Sequence, residues 1–107
     1  MRITLRQLDV FSAVAREGSV TQAAKWLNLT QSATSMALAD LEAQLNAKVF
    51  DRLGRRLQLN DLGHRLLPLA QETVARAQEI EDIASGNRPG QGRLRIGASL
   101  TIGNYLM

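Results

Sequence analysis

The segment from Ser19 to Leu45 constrains the fold of this chain most, because it contains two helix starts separated by a short turn. Ser19 is a favourable N-cap, and Gln22 stands three positions later, as in a Ser-x-x-Gln capping box. Asn28 tolerates the left-handed conformation in which helices end, and Thr30 is a favourable N-cap for a following helix. The segment therefore predicts helices over residues 20–27 and 31–46, joined by a turn at residues 28 and 29.

The second predicted helix has two faces of different character. Its apolar face repeats at steps of three and four residues and consists of Thr34, Ala37, Leu38, Leu41 and Leu45. Gln31, Ser32 and Ser35 are short polar residues in its first turn and a half, where such side chains contact base edges or phosphates. Since Ala23 and Ala24 allow a close approach of the two helices, the pair favours a helix-turn-helix that binds DNA.

A further helix is predicted before this pair. Leu5, Leu8, Phe11 and Ala15 recur on one face between residues 5 and 17. Thr4 can cap this helix, and Gly18 occupies the usual C-terminal glycine position. In a helix-turn-helix protein such a helix supports the two that contact DNA.

Residues 49–59 change to a period of two and predict a two-stranded wing. Leu57 and Leu59 alternate with polar residues, and Leu53-Gly54 marks the turn. Three arginines surround this turn, Arg52, Arg55 and Arg56. Their clustering beside the helix pair favours contact with DNA phosphates or with the minor groove over a role as plain solvated charge.

A long helix is predicted from residue 61 to about residue 85, with Asn60 as its cap. Its apolar seam comprises Leu62, Leu66, Leu69, Thr73, Arg76 or Ala77, Ile80 and Ile83. A helix of this length cannot bury the whole seam on a 60-residue domain, so we expect it to pair with a second copy of the chain. Gly86, Pro89, Gly90 and Gly92 then indicate a hinge, and residues 93–98 alternate as a strand does.

Composition and charge exclude several classes of protein. The 107 residues include no cysteine and a single histidine, His64, so neither a thiolate metal site nor a Ser/His/Asp set is indicated. Residues 1–60 carry eight basic and five acidic residues, residues 61–86 two and five, and residues 87–107 three and none. A basic head followed by an acidic segment is typical of a DNA-binding domain joined to an element that does not touch DNA. With no signal peptide and no membrane-spanning run, we expect a cytoplasmic protein without metal, cofactor or catalytic activity.

The order and spacing of short motifs resemble the LysR family of bacterial transcriptional regulators. These motifs are Leu5-Arg6-Gln7-Leu8 with Phe11, Gly18-Ser19 with Ala23-Ala24 and Leu27, Gln31-Ser32-Ala33 with Ser35, Leu41-Glu42 with Leu45, Val49-Phe50 with Arg52, and Leu59-Asn60 with Gly63. The resemblance implies a mainly α fold, namely a winged helix-turn-helix followed by a long linker helix that dimerises. It also implies binding to an inverted repeat whose core is a T and an A separated by eleven bases.

The resemblance extends to the domain organisation. Residues 1–60 would be the DNA-binding domain, 61–86 the linker helix, 87–92 the hinge, and 93–107 the first strand and helix start of a truncated effector-binding domain. In that last domain Ser99 and Thr101 would line an incomplete small-molecule site. The full-length protein would be a tetramer that binds a small-molecule effector.

The predicted site residues follow from the pattern and the resemblance together. For DNA binding they are Ser19, Thr21, Gln22, Thr30, Gln31, Ser32, Thr34, Ser35, Arg52, Arg55 and Arg56. For dimerisation they are Leu62, Leu66, Leu69, Thr73, Ala77, Ile80 and Ile83.

Two features depart from the family pattern. Helix 31–46 contains no lysine or arginine, which excludes bidentate arginine–guanine contacts from this helix, so that specificity is expected from its polar side chains and from DNA shape. Trp26 is larger than the residue usual at its position, and we expect it to be partly packed. A helical dimerisation module without its own DNA specificity, or another winged-helix family, remains as an alternative.

Overall fold

The chain folds into a three-helix cluster with a small antiparallel wing and a long C-terminal helix. The computed structural model describes residues 2–86. Its elements are α1 (Leu5–Glu17), α2 (Val20–Leu27), α3 (Gln31–Leu45), β1 (Phe50–Leu53), β2 (Arg56–Leu59) and α4 (Asp61–Ala84). The predicted helices and the predicted wing are thus confirmed. The hinge predicted over residues 87–92 and the strand and helix start predicted over 93–107 lie outside the described residues.

The helix termini form as their local sequences predict, with one exception. The hydroxyls of Ser19 and Thr30 accept hydrogen bonds from the backbone N–H groups of Gln22 (3.2 Å) and Ala33 (3.0 Å). Asn28 ends α2 in the left-handed conformation, with φ of 61°. Among the hydrogen bonds of residues 2–86, none runs from the Ser19 N–H to the Gln22 side chain. The capping box predicted at Ser19 is therefore realised in one of its two bonds.

A complete capping box occurs instead at the start of α1. The Thr4 hydroxyl accepts from the Gln7 N–H, and the Thr4 N–H donates to Gln7 Oε1, both at 3.1 Å. The box thereby satisfies two backbone N–H groups that have no partner within the helix. Since Gln7 is itself buried, the box also ties the first turn of α1 to the domain interior.

The hydrophobic core lies where α1, α2 and α3 meet the wing. Val10, Phe11 and Val14 of α1 are fully or almost fully buried, as are Ala23 of α2 and Leu41 of α3. Burial of each large side chain of this kind contributes about 1.5–3 kcal/mol. The small size of Ala23 is what brings the backbones of the helix pair together.

The wing is attached to this core at both of its strands. Phe50 of β1 packs edge-on against Phe11, with 5.6 Å between ring centroids and 65° between ring planes. On β2, the Leu57 N–H donates a hydrogen bond to the Gly18 carbonyl (3.0 Å), and Leu57 and Leu59 pack against the core. A two-stranded ribbon is marginal by itself, so these contacts fix the wing beside the helix pair.

The long helix α4 begins at a buried contact with the loop before the wing. The Gly63 N–H donates to Asn60 Oδ1 (2.8 Å), which makes Asn60 the N-cap. The described residues form two units, one ending at Val74 and the other beginning at Ala75. Within residues 2–86, no helix combines the length and the apolar character needed to cross a membrane, and no three acidic or histidine side chains cluster as metal ligands would.

Candidate nucleic-acid interface

The solvent face of α3 presents the short polar side chains that the sequence singled out. Gln31, Ser32 and Ser35 are exposed, whereas Leu38 and Leu41 on the opposite side are buried. All three polar residues stand in the first turn and a half after the Thr30 cap, which is the part of a recognition helix that reaches base edges. The structure therefore brings these three predicted residues together on one accessible surface.

Thr34 corrects the predicted set of DNA-binding residues. Its side chain is fully buried, and its hydroxyl donates to the Thr30 carbonyl at 2.9 Å. A group enclosed by the core and already hydrogen-bonded to the preceding turn cannot meet a base or a phosphate. The prediction that Thr34 contacts DNA is wrong, while its place on the apolar face of α3 is confirmed.

The N-termini of α2 and α3 both open towards solvent. Thr21 and Gln22 in the first turn of α2 are exposed, and so are Thr30 and Gln31 at the start of α3. The first N–H groups of a helix have no partner within the helix, and the helix dipole adds positive potential there. Each terminus can accordingly bind a phosphate oxygen, with the cap hydroxyls of Ser19 and Thr30 as further donors.

The wing arginines form the cationic part of the surface. Strand pairing sets Arg52 opposite Leu57 and Leu53 opposite Arg56, so that Gly54 and Arg55 make the turn between the strands. All three arginines are exposed, and within residues 2–86 none of them is in an ion pair or a side-chain hydrogen bond. Their charge is therefore available to an anion.

Arg56 differs from the other two because it also covers the α1–α2 corner. Its Nη2 atom is so close to Gly18 that a Cβ added to this glycine would lie 2.7 Å from it. Gly18 ends α1 with φ of 73°, a conformation that other residues rarely adopt. The glycine thus serves both the helix end and the approach of Arg56, which brings one wing cation next to the start of α2.

Two exposed apolar residues near this surface were not among the predicted site residues. Trp26 is 67% exposed, and the Arg16 guanidinium lies 4.5 Å from its ring centroid in a cation–π arrangement. Met36 is 65% exposed on α3. The sequence signal for Met36 was its place off the apolar stripe of α3, where a large apolar side chain has no core to enter.

The residues predicted to dimerise divide by exposure. Leu62 and Leu66 are half-buried and pack against the core of the first unit. Leu69 is 61% exposed, and the exposed Thr73 donates its hydroxyl to the Leu69 carbonyl at 2.7 Å. In the second unit Ala77 is half-buried, while Ile80 and Ile83 are 69% and 66% exposed.

An apolar groove of about 120 Å³ adjoins Leu66 and Leu69 in the first unit. Its lining comes from α1, α3, α4 and the N-terminal segment, and comprises Ile3, Leu8, Phe11, Leu41, Leu45, Leu66, Leu69, Ala70 and Thr73. The predicted effector-binding residues Ser99 and Thr101 lie outside the described residues.

Comparison with known proteins places this arrangement in a family. The family described as "Bacterial regulatory helix-turn-helix protein, lysR family" matches residues 5–64. The chain is 50% identical over its whole length to "Uncharacterized HTH-type transcriptional regulator YeiE" of Escherichia coli, of which it spans 36%. It thus covers about a third of that relative.

Solved structures show the same fold. A hydrogen-peroxide-bound mutant of Corynebacterium glutamicum OxyR matches 80% of this chain with a TM-score of 0.77 and 32% identity, over 27% of its own length. The DNA-binding domain of CbnR, solved in a complex with DNA, matches 77% of this chain and 94% of its own, with a TM-score of 0.69 and 32% identity. The chain therefore belongs to the LysR family of bacterial regulatory helix-turn-helix proteins, and residues 5–64 are its helix-turn-helix domain.

Proposed function

We propose that this chain binds double-stranded DNA sequence-specifically, as the DNA-binding part of a transcriptional regulator. The observation that carries the proposal is the composition of one surface: short polar side chains on the exposed face of α3, beside unpaired arginines on the wing. In this arrangement α3 enters the major groove. The wing arginines and the N-termini of α2 and α3 hold the sugar–phosphate backbone.

Affinity and specificity come from different parts of this surface. Arg52, Arg55 and Arg56 supply the salt-dependent attraction to phosphates, since α3 itself has no cationic side chain. Gln31, Ser32 and Ser35 supply polar contacts to base edges, and a glutamine side chain can pair with adenine through two hydrogen bonds. Shape-dependent recognition adds to these contacts where the wing meets the minor groove.

The proposed binding unit is a homodimer on an inverted repeat. Leu69, Ile80 and Ile83 expose apolar surface on α4 that a second copy of this helix would cover. In the full-length protein we propose a tetramer, a small-molecule effector bound through a site that includes Ser99 and Thr101, and a cytoplasmic location. The proposed activity is regulation of transcription and involves no catalysis.

The test is binding of the 107-residue chain to two duplexes across a salt series. One duplex carries the inverted repeat with a T and an A separated by eleven bases, and the other carries the same bases in scrambled order. Tighter binding to the repeat, with the same dependence on salt for both duplexes, is expected if base contacts are added to phosphate contacts. Absence of any salt-sensitive binding would overturn the proposal and leave a dimerisation module.

A further inference from the structure

The exposed face of α3 carries one large apolar side chain, that of Met36. At about 100° of rotation per residue, Met36 points almost directly away from the buried Thr34. Ser32 lies one turn before it and Asp40 one turn after it, and both are exposed. Met36 is therefore no part of the core, and its 65% exposure reflects a position at the centre of the solvent face.

The charges of α3 indicate which half of the helix approaches DNA. Asp40 is exposed, so its carboxylate would be repelled by phosphates, whereas residues 31–36 carry no charge. The first turn and a half is also where the free N–H groups lie. Met36 stands at the end of this uncharged half, within reach of the same groove as Ser32 and Ser35.

We propose that Met36 is a specificity-determining residue that packs against the 5-methyl group of a thymine in the major groove. The inference rests on the DNA binding proposed above. Among the groups that the four base pairs present in the major groove, the thymine methyl is the apolar one. The long, flexible thioether side chain of methionine reaches beyond the short side chains of Ser32 and Ser35 and adapts to such a surface.

The consequence for recognition is a thymine preference that needs no hydrogen bond. An exposed methionine gains from contact with a methyl group what it would lose against the polar edge of cytosine or guanine. Because a dimer places one α3 in each half-site, the preference should appear once per half-site, at symmetry-related positions.

The experiment begins with selection from a randomised duplex library by the 107-residue chain. Each thymine of the selected sequence is then replaced in turn by deoxyuridine, which lacks only the 5-methyl group. For the unaltered chain, one replacement per half-site should weaken binding about fourfold, the effect of one buried methyl group. In Met36→Ala the same replacement should have no effect, and in Met36→Leu it should keep most of its effect.

Gln44→Ala is the matched control, because Gln44 is exposed in the last turn of α3, away from residues 31–36. It should respond to deoxyuridine as the unaltered chain does. Equal deoxyuridine responses in the unaltered chain and Met36→Ala, or a selected sequence without thymine, would overturn the inference while the proposed function stands. Failure of the unaltered chain to select any sequence would overturn the proposed function and this inference with it.

Discussion

The side-chain amide of Asn60 donates a hydrogen bond to the carbonyl oxygen of Lys48, twelve residues earlier in the chain, at 2.8 Å. The other side of the same amide, Oδ1, accepts from the Gly63 N–H at 2.8 Å. The Asn60 N–H completes the junction by donating to the Val49 carbonyl. One residue thereby joins the loop after α3, the end of the wing and the first turn of α4.

Asn60→Ala should destabilise the chain by about 1–2 kcal/mol, since it removes a helix cap together with a bond to the loop. Asn60→Asp should cost less, because its carboxylate still accepts from Gly63 and only the donor to Lys48 is missing. Urea unfolding followed by circular dichroism measures both. Equal stability of Asn60→Ala and the unaltered chain would show that the junction contributes nothing.

Gly63→Ala should destabilise the chain by a different route. Gly63 is buried in the first turn of α4, and an added Cβ would overlap the Val49 carbonyl oxygen and lie 2.8 Å from Leu59 Cδ2. Although alanine favours helices, separating these backbones should cost about 1–3 kcal/mol. The melting temperature should fall by roughly 4–8 °C for each of these kcal/mol. Gly54→Asn is the control, because Gly54 has open space around it and asparagine tolerates its φ of 61°; a similar destabilisation of both variants would contradict the packing explanation.

The elements that the sequence predicted well are those whose signals are local. Ser19, Asn28 and Thr30 act within one turn of themselves, so the helix boundaries could be placed to within a residue or two. The wing could be predicted because alternation and a Leu-Gly turn occur together. Family motifs added the orientation of these elements, which periodicity alone does not supply.

The features that the sequence did not reveal depend on contacts between elements. Gly63 resembles an ordinary helix glycine until the Val49 carbonyl is seen beside it. The packing of Arg16 on Trp26 depends on the angle between α1 and α2. Thr34 satisfied two patterns at once, a polar side chain near a recognition helix start and a place on the apolar stripe, and only the packing shows that the second one prevails.

Thr34→Val should therefore leave DNA binding unchanged. Valine has nearly the same shape, and the Thr30 carbonyl keeps its bond from the backbone N–H of residue 34 (3.1 Å), so stability should change by less than about 1 kcal/mol. Ser35→Ala, at the exposed neighbouring position, should alter affinity or sequence preference without affecting stability. Binding to the selected duplex separates the two variants. A change of preference in Thr34→Val would restore Thr34 to the DNA-binding set.

Ile80→Asp should weaken self-association. Ile80 is 69% exposed, and a carboxylate on a helix face that a second copy covers would give up its hydration without gaining a partner. Dimerisation measured by sedimentation equilibrium should weaken at least about tenfold. Ala75→Asp adds the same charge at an exposed position on a different face of α4 and should leave association unchanged. Unaltered association of Ile80→Asp would exclude this face from the dimer.

Arg55→Ala should reduce the dependence of DNA binding on salt. Arg55 stands at the exposed turn of the wing, without an ion pair among residues 2–86, so a phosphate contact would release a counterion on binding. The slope of log K against log salt should fall by about 0.9 for the one phosphate contact that this variant removes, and affinity should fall equally on the repeat and the scrambled duplex. Arg76→Ala is the control, because it removes the same charge from α4, where Arg76 pairs with Glu79 at 3.2 Å. If both variants kept the slope of the unaltered chain, the turn of the wing would not contact the DNA backbone, and the attraction would have to come from Arg52, Arg56 and the helix N-termini.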